Sequence, residues 1–313
     1  MKITLISLDV LGINDEIAKS LKKQGYEVNH INFHTFRYQY PTVFHRIFNF
    51  IGKTFFKYDI KKNHLNKEIL KRLNEIGKQD KILMLNANFL LPQIIKNISS
   101  FTEDLTAFFN DNIERIPKIL LVAPFFNEVY TFEPNDSKNH NFKFATNYIF
   151  KENKNNLSIE QEVFNISTFS KRSKVIDNIA LQLDELGVSY KIVSFGKKKI
   201  ESKSSVEYVT ERINMKEVNE LVAHSNVLLD IHREGQDGLS FRVFESLGNN
   251  KKLITTNAAI ASYDFYNPNN ILIIDKNDIQ IPKSFFENEY EEIPDEIYQK
   301  YLIDNWIKRI LNL

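Results

Sequence analysis

The chain has 313 residues, of which 42% are hydrophobic and 26% charged, with 41 Lys and Arg against 40 Asp and Glu. This composition is that of an ordinary globular protein, and it excludes a disordered, a fibrous and a nucleic-acid-coating chain. The lack of cysteine excludes a disulfide framework, a thiolate zinc site and cysteine catalysis. At about 100–200 residues per domain, the length predicts two domains.

The first residues reach Asp9 and Asn14 too early for a signal peptide, and no later run approaches the ~20 apolar residues that span a bilayer. We therefore expect a cytoplasmic protein, which could contact the inner face of the cytoplasmic membrane. Residues 37–72 contain nine Lys and Arg against two carboxylates, whereas residues 275–304 contain nine carboxylates against three lysines. The sequence thus predicts a molecule with an uneven charge distribution.

The first half of the chain shows the pattern of a parallel sheet. A strand at 3–8, a helix that begins after Asn14 and ends at Gly25, and a strand at 26–33 form a β-α-β unit. The further predicted elements are helices at about 42–57 and 63–77, a strand at 81–85, a helix at 90–98, a strand at 105–109 and a last strand at 129–132.

An asparagine-rich stretch at 151–157 without apolar periodicity indicates a linker. Strands are then predicted at 163–166, 190–195, 227–231, 253–255 and 271–274, with helices at 171–186, 215–223 and 239–247. This alternation predicts a second doubly wound α/β domain. We therefore divide the chain into an amino-terminal domain at 1–155, a carboxy-terminal domain at 156–295 and a closing helix at 296–313, which is expected to pack across the domains.

The segment 229–245 is the most informative, because a buried strand ends in a polar, glycine-bearing loop that leads directly into a helix. Phosphate groups favour such a helix start, where unpaired N–H groups and the positive end of the helix dipole face the ligand. The fork of Arg242 suits a pyrophosphate, and Glu245, one turn later, could accept hydrogen bonds from two ribose hydroxyls. Ligands of α/β sheets bind at the carboxyl ends of the strands, and we expect this site to lie between the two domains.

The stretches Gln236–Glu245 and Lys252–Asn257 resemble those of GT-B glycosyltransferases, especially bacterial enzymes that build lipopolysaccharide cores, O-antigens and capsules. The resemblance implies two Rossmann-like doubly wound domains that face a central cleft, with the nucleotide-sugar in the second domain. It implies that these residues bind the donor: Gln236, Asp237, Gly238, Leu239, Ser240, Arg242, Glu245, Thr255, Thr256 and Asn257. In a related retaining group two glutamates lie eight residues apart, whereas Glu234 and Glu245 lie eleven apart, so the stereochemistry stays open.

Simpler roles exist for the same residues. Arg242 and Glu245 are three apart on a helix and could simply pair with each other. His232 could contact the donor or be a structural histidine at a strand end. Asp237 could hold sugar hydroxyls or cap the following helix. His30 and His34 have the spacing of some metal pairs, but they lie on a predicted strand with no third ligand in view, so we expect structural histidines.

An inverting transfer needs a general base from the acceptor side. Asp111 and Asp9 both follow predicted strands, and aromatic neighbours favour Asp111 because desolvation raises a carboxyl pKa; a turn-forming role is the alternative for each. His232 is the third candidate for a catalytic role. No Asp-x-Asp pair occurs in the chain, so we predict metal-independent transfer with no cofactor besides the nucleotide-sugar co-substrate.

Residues 43–57 form a predicted basic amphipathic helix with an apolar face and with Arg46, Lys53 and Lys57 on another face. Such a helix could dock on an anionic membrane next to a lipid-linked glycan acceptor. The alternative is a core helix with a solvated basic edge.

The predicted function is therefore sugar transfer from a nucleotide-sugar to a cell-envelope glycan. The alternatives are an epimerase or hydrolase of nucleotide-sugars and a catalytically silent module that binds a glycan or a partner. Nucleic-acid binding is not expected, because the net charge of +1 provides no broad positive surface.

Overall fold

The structure is a computed structural model that describes residues 1–56, 58–153, 158–170, 172–196 and 204–313. The chain divides into two compact units, one formed by Met1–Ala145 with Ile307–Leu313 and the other by Thr146–Trp306. Each unit is an α/β layer built on its own six-stranded parallel sheet.

The first sheet has the strand order β2-β1-β3-β4-β5-β6. Its strands are β1 (Lys2–Ser7), β2 (Glu27–Asn32), β3 (Lys81–Leu85), β4 (Leu105–Phe109), β5 (Glu128–Thr131) and β6 (Lys143–Phe144). The helices are α1 (Ile13–Lys23), α2 (Val43–Phe56), α3 (Ile60–Ile76), α4 (Pro92–Ile98), α5 (Lys118–Val122) and α6 (Pro134–His140). Apolar residues of β3 and β4 pack against α3, α4 and α5 and form the core of this unit.

The second sheet has the order β12-β11-β10-β7-β8-β9. Its strands are β7 (Gln161–Thr168), β8 (Tyr190–Phe195), β9 (Glu207–Val209), β10 (Ser225–Asp230), β11 (Lys252–Thr255) and β12 (Ile271–Ile273). The helices are α7 (Ser173–Leu186), α8 (Met215–Ala223), α9 (Phe241–Gly248), α10 (Ser284–Glu287), α11 (Asp295–Tyr301) and α12 (Ile303–Leu311). One apolar cluster lies under α7 on one face of the sheet, and a second lies under α8 and α9 on the other.

The strand order has a consequence for ligand binding. In the second sheet the chain order reverses at β7, which lies between β8 and β10. Loops that leave the carboxyl ends of β7 and β10 diverge at this switch point and leave a crevice, which is where open α/β sheets bind ligands. The corresponding reversal in the first sheet is at β1, between β2 and β3.

Several sequence predictions need correction. The strand at 129–132 is not the last of its sheet, because β6 follows it, and β9 was not predicted at all. Asn14 does not cap α1: the residue before the helix is Gly12, in a left-handed conformation without a side-chain cap. The predicted closing helix at 296–313 is two helices, α11 and α12, which join at Leu302.

The predicted boundary at 155/156 also differs from the observed division after Ala145. The segment 146–153 belongs to the second unit because its polar groups bond there. Asn147 Nδ2 donates to Leu239 O at 2.9 Å, and Asn153 N donates to Gly248 O at 3.0 Å. Residues 154–157 of the predicted linker lie outside the described residues.

Candidate functional site

The candidate site is the carboxyl edge of the second sheet at its switch point. The loop 231–240 leaves β10 there, the loop that ends at Arg172 leaves β7, and Thr256 and Asn257 follow β11. These loops bring together residues that are far apart in the sequence.

Asp230, the last residue of β10, organises this edge. Its buried carboxylate accepts hydrogen bonds from Ser240 Oγ at 2.8 Å and from Thr255 Oγ1 at 3.1 Å, and its carbonyl accepts from Thr256 N at 3.2 Å. The carboxylate thus ties both ends of the 231–240 loop to the neighbouring strand. Sequence reasoning did not assign it a role, although a carboxylate that ends the apolar run Val227–Leu229 is a signal for one.

His232 lies within this framework. Its backbone N–H donates to Thr256 Oγ1 at 3.0 Å, and its ring Nδ1 lies 2.8 Å from the same hydroxyl oxygen. Burial lowers the pKa of His232 below 6.5; Asp230 opposes the shift, and Lys276 and Arg172 add to it. The imidazole is therefore neutral at pH 7, and it can exchange a hydrogen bond with a ligand without carrying charge.

Arg172 is a cation at this edge that sequence reasoning missed. Its guanidinium donates to Ile231 O at 2.5 Å and to Ser170 Oγ at 3.2 Å, which fixes it beside the loop that follows β10. The sequence signal was present, since Ser170 and Arg172 are polar residues shortly after a buried strand. Only the strand order shows that these two residues lie beside the 231–240 loop.

Arg242 and Glu245 contact each other, and their contacts with a donor stay a prediction. The two side chains form an ion pair, both are largely buried, and the guanidinium lies over the Phe164 ring at 5.5 Å. Burial raises the pKa of Glu245, and the charges of Arg242 and Lys151 oppose the shift. The alternative left open by the sequence, a mutual pair, is the arrangement found; it is interior rather than on the surface.

The other predicted donor residues fall into two groups. Thr255, Thr256 and Asn257 are buried, and Asn257 Nδ2 donates to Asp237 O at 3.2 Å, so these residues do meet the loop. Gln236 and Asp237 lie on the outer part of the loop, whereas Gly238 and Leu239 are buried at its end. Asp237 does not cap α9, because the cap is Ser240, whose Oγ accepts from Arg242 N at 3.1 Å.

Glu234 can also be placed: it is exposed and pairs with Lys276 at 2.9 Å.

The base candidates lie in the first unit. Asp9 is buried, and its two carboxylate oxygens accept from Gly12 N at 2.7 Å and Asp15 N at 2.9 Å, which is a loop-forming role at the start of α1. Asp111 forms an ion pair with Arg115 at 2.6 Å, so it has a charged neighbour besides the predicted aromatic ones. A role for Asp111 in proton transfer stays a prediction. His30 is bonded to Ser7 Oγ at 2.9 Å and lies 3.2 Å from the carboxylate of Asp15.

The first unit contains a cavity of about 460 Å³ at the carboxyl edge of its sheet. Its lining includes Leu8 after β1 and Phe89 after β3, which places it near the switch point of that sheet. The other lining residues are mainly aromatic and basic: Phe33, Phe36, Tyr38, Arg37, Lys61 and Lys62. Burial and the nearby charge of Lys118 lower the pKa of Lys62. Such a lining suits a ligand with an apolar face and an anionic group.

The structure describes two of the three basic residues predicted to dock on a membrane. Lys53 pairs with Asp59 at 2.9 Å, and Arg46 is exposed and lies 5.9 Å from the centre of the Tyr40 ring. Lys57 lies outside the described residues. Among the described residues, no cluster of three or more His, Asp or Glu side chains is arranged to hold a metal ion. No helix in the described part of the chain is both long and apolar enough to cross a membrane.

Comparison with solved structures identifies the fold. The chain is similar over 100% of its length to the UDP-GlcNAc 2-epimerase of Methanocaldococcus jannaschii, with 99% of that chain covered, a TM-score of 0.56 and 12% identity. It is similar to a trehalose-6-phosphate synthase, OtsA, with a TM-score of 0.61, 9% identity, and coverage of 100% and 98%. It is also similar to a UDP-forming α,α-trehalose-phosphate synthase from Burkholderia xenovorans, with a TM-score of 0.57, 10% identity, and coverage of 99% and 98%.

The chain has the GT-B fold. No protein-family model matches the sequence, and no curated protein matches it significantly. At these sequence identities the structural similarity shows the fold alone, so activity has to be argued from the site.

Proposed function

We propose that this GT-B protein is a glycosyltransferase that moves a sugar from a nucleotide-diphosphate donor to a cell-envelope glycan, such as lipopolysaccharide, O-antigen or capsule. The observation that carries the proposal is the switch-point edge, where Arg172, His232 and the start of α9 surround one loop. This combination suits a diphosphate because it joins a fixed positive charge to the N-terminal end of a helix.

Each residue of this edge has a part in the proposed reaction. Arg172 balances the charge that develops on the leaving nucleoside diphosphate, and the α9 dipole acts in the same direction. His232 donates or accepts a hydrogen bond at the transferred sugar or the phosphate. Because these groups already stabilise the leaving group, we propose that transfer needs no metal ion and no cofactor.

The acceptor is proposed to bind the first unit. Its 460 Å³ cavity combines aromatic rings with Arg37, Lys61 and Lys62. Aromatic faces stack on sugar rings, and cations bind a phosphate, so the lining suits a phosphorylated or lipid-linked glycan. UDP is the first nucleotide to test, because two of the similar structures are described as a UDP-GlcNAc epimerase and a UDP-forming synthase.

The test is thermal stabilisation by UDP, GDP, ADP, TDP and CMP in the wild type, Arg172→Ala and Lys174→Ala. A nucleotide that binds only the folded state raises the unfolding midpoint by mass action. We expect one nucleotide to do so and Arg172→Ala to raise its Kd about 10- to 100-fold, which is the loss of a charge-assisted hydrogen bond. Lys174 is the matched control, since it carries the same charge two residues later but is exposed on α7.

Arg242 and Glu245 are poor choices for this test. Removing one partner of a buried ion pair costs about 3–5 kcal/mol, because it leaves an uncompensated charge. Lost binding in such a variant would then report lost stability.

Three outcomes would contradict the proposal. Binding that is equal in Arg172→Ala would remove the assigned phosphate site. Turnover of the nucleotide-sugar without an acceptor would replace transfer by epimerisation or hydrolysis, which is the second candidate function because one similar structure is an epimerase. No stabilisation by any nucleotide would leave a module that binds a glycan or a partner without catalysis.

A further inference from the structure

Helix α2 is attached to the first unit through a polar face. Asn49 is its buried residue: Nδ2 donates to the Tyr40 hydroxyl at 2.7 Å, and Oδ1 accepts from Ile60 N, the first residue of α3, at 2.9 Å. On the same side, Gly52 O accepts from Tyr58 N at 2.9 Å. These contacts hold the helix in place with hydrogen bonds instead of apolar packing.

The opposite face of α2 is apolar and exposed. Phe44, Phe48 and Phe55 are 70%, 66% and 73% exposed. The other exposed apolar residues of the helix are Val43, Ile47, Phe50, Ile51 and Phe56. At about 100° per residue, all but Phe56 fall within one broad arc whose centre lies about 180° from Asn49. The helix is therefore oriented with its apolar side away from the protein, which rules out the core-helix alternative.

A face of this kind marks an interaction surface. Exposed apolar residues are ordinary when they are scattered, but a continuous row of phenylalanines along one helix leaves a large apolar area in water. At roughly 25 cal/mol per Å² of apolar area, removal of one phenylalanine side chain from water increases the affinity for a partner tenfold or more. Contact between this surface and a partner is therefore strongly favoured over exposure to water.

The basic residues beside the apolar face of α2 indicate which partner covers it. Arg46 and Lys53 border the apolar arc, and Lys61 continues the positive charge at the start of α3. The nearby carboxylate, Asp59, is occupied: it pairs with Lys53 and caps α3 by accepting from Lys61 N at 3.0 Å. A symmetric second copy would place these cations opposite one another, whereas an anionic lipid surface complements them.

We propose that α2 is a membrane-docking helix that lies in the headgroup region of a bilayer containing anionic lipids. The phenylalanine rings enter the boundary between headgroups and acyl chains, and Arg46 and Lys61 contact lipid phosphates. Fourteen residues extend about 21 Å, which suits a helix that lies in the plane of the interface. The inference does not rest on the donor site, since it uses contacts of the first unit alone.

The test is co-sedimentation of the full chain, without nucleotide, with vesicles of pure phosphatidylcholine and with vesicles of equal parts phosphatidylcholine and phosphatidylglycerol. We expect binding to the mixed vesicles, and weaker binding to pure phosphatidylcholine. The triple variant Phe44→Ser, Phe48→Ser, Phe55→Ser should bind about 1000-fold less, at about tenfold for each side chain. Its control replaces exposed aliphatic residues elsewhere, Leu121→Ser with Ile159→Ser, and should bind like the wild type.

The charge contribution has its own pair of variants. Arg46→Gln with Lys61→Gln should lose about 30-fold in affinity for the mixed vesicles, at about 1 kcal/mol per basic residue. Lys22→Gln with Lys23→Gln removes the same charge from the exposed end of α1 and should have little effect.

Two results would overturn the inference. One is equal vesicle binding by the wild type and the triple serine variant. The other is a wild type that does not bind vesicles but forms a dimer, together with a serine variant that is monomeric. The surface would then join two copies of the chain. An unchanged unfolding midpoint shows that a variant is folded. Nucleotide stabilisation, measured separately, shows whether the donor proposal stands or fails by itself.

Discussion

Burial and neighbouring groups decide what each charged or titratable side chain at the second sheet edge can do. Arg172 and Arg242 are the same residue type, but Arg172 donates to the carbonyl of Ile231 and the hydroxyl of Ser170 beside the loop. Arg242 forms an ion pair with Glu245 in the interior of α9. An interior ion pair mainly fixes the helix, whereas a guanidinium beside a loop can also contact a phosphate.

His232 gives a prediction for the pH dependence of stability. Burial lowers its pKa in the folded state below the value of 6.5 in the unfolded chain. Between these two values the unfolded chain binds more protons, so the free energy of unfolding falls as the pH drops below 6.5. We expect the wild type to lose more stability than His232→Gln between about pH 7.5 and about pH 5.5. Denaturant titrations at both pH values measure the difference, and an equal loss in both proteins would show that the histidine is not desolvated.

Close backbone contact is decisive for one element, helix α9. The segment 146–153 crosses the end of this helix, where Asn153 N bonds to Gly248 O. A Cβ atom at Gly248 would lie 2.3 Å from Lys151 O and 2.6 Å from Ile149 Cγ2. The absence of a side chain at this position is what allows the segment to lie against α9, and hence to belong to the second unit.

The sign of the change in the free energy of unfolding in Gly248→Ala tests this contact. In a helix, replacement of glycine by alanine normally stabilises a protein by about 0.5–1 kcal/mol. Here the overlap with backbone atoms should reverse the sign and cost about 1–3 kcal/mol. Chemical denaturation followed through the emission of Trp306, which donates to Thr146 O at 2.8 Å in the same segment, measures the change. A stabilised variant would mean that the segment does not lie against the helix.

For the whole molecule, the near-zero net charge conceals opposite charges on the two units. The basic stretch 37–72 belongs to the first unit and the acidic stretch 275–304 to the second. Attraction to an anionic surface is therefore a local property of the first unit, where α2 also exposes its apolar face.

Because α2 combines cations with an apolar face, one contribution to vesicle binding should depend on salt and the other should not. Raising the ionic strength from about 0.1 M to about 1 M shortens the Debye length from about 10 Å to about 3 Å. Affinity for phosphatidylglycerol vesicles should fall over this range but not vanish, because apolar burial is not screened. Titration of vesicles at several salt concentrations tests it, and Arg46→Gln with Lys61→Gln should show a flatter salt dependence. Salt-independent binding would remove the electrostatic part of the proposal.

Much of the fold was readable from the sequence because local signals specify it. Apolar runs such as 81–85 and 105–109 predict buried strands at their observed positions, and Gly25 and Gly187, both with positive φ, end helices as expected. The short edge strands β6 and β9 escaped prediction, since two or three residues show no periodicity. The sequence predicts a cap at Asn14, because it does not reveal that Asp9 accepts hydrogen bonds from the N–H groups at the start of this helix.

Hydrophobic periodicity and turn residues act over short distances, so the amino-acid sequence is enough to specify the α/β class, the two-sheet organisation and the loop before α9. The position of Arg172 beside this loop follows from the tertiary structure, since the neighbour of β7 depends on strand order. The same is true of the contact between Arg242 and Glu245 in the interior. An amphipathic pattern shows that α2 has two faces, and only the contacts of Asn49 show which face the protein keeps and which it leaves in water.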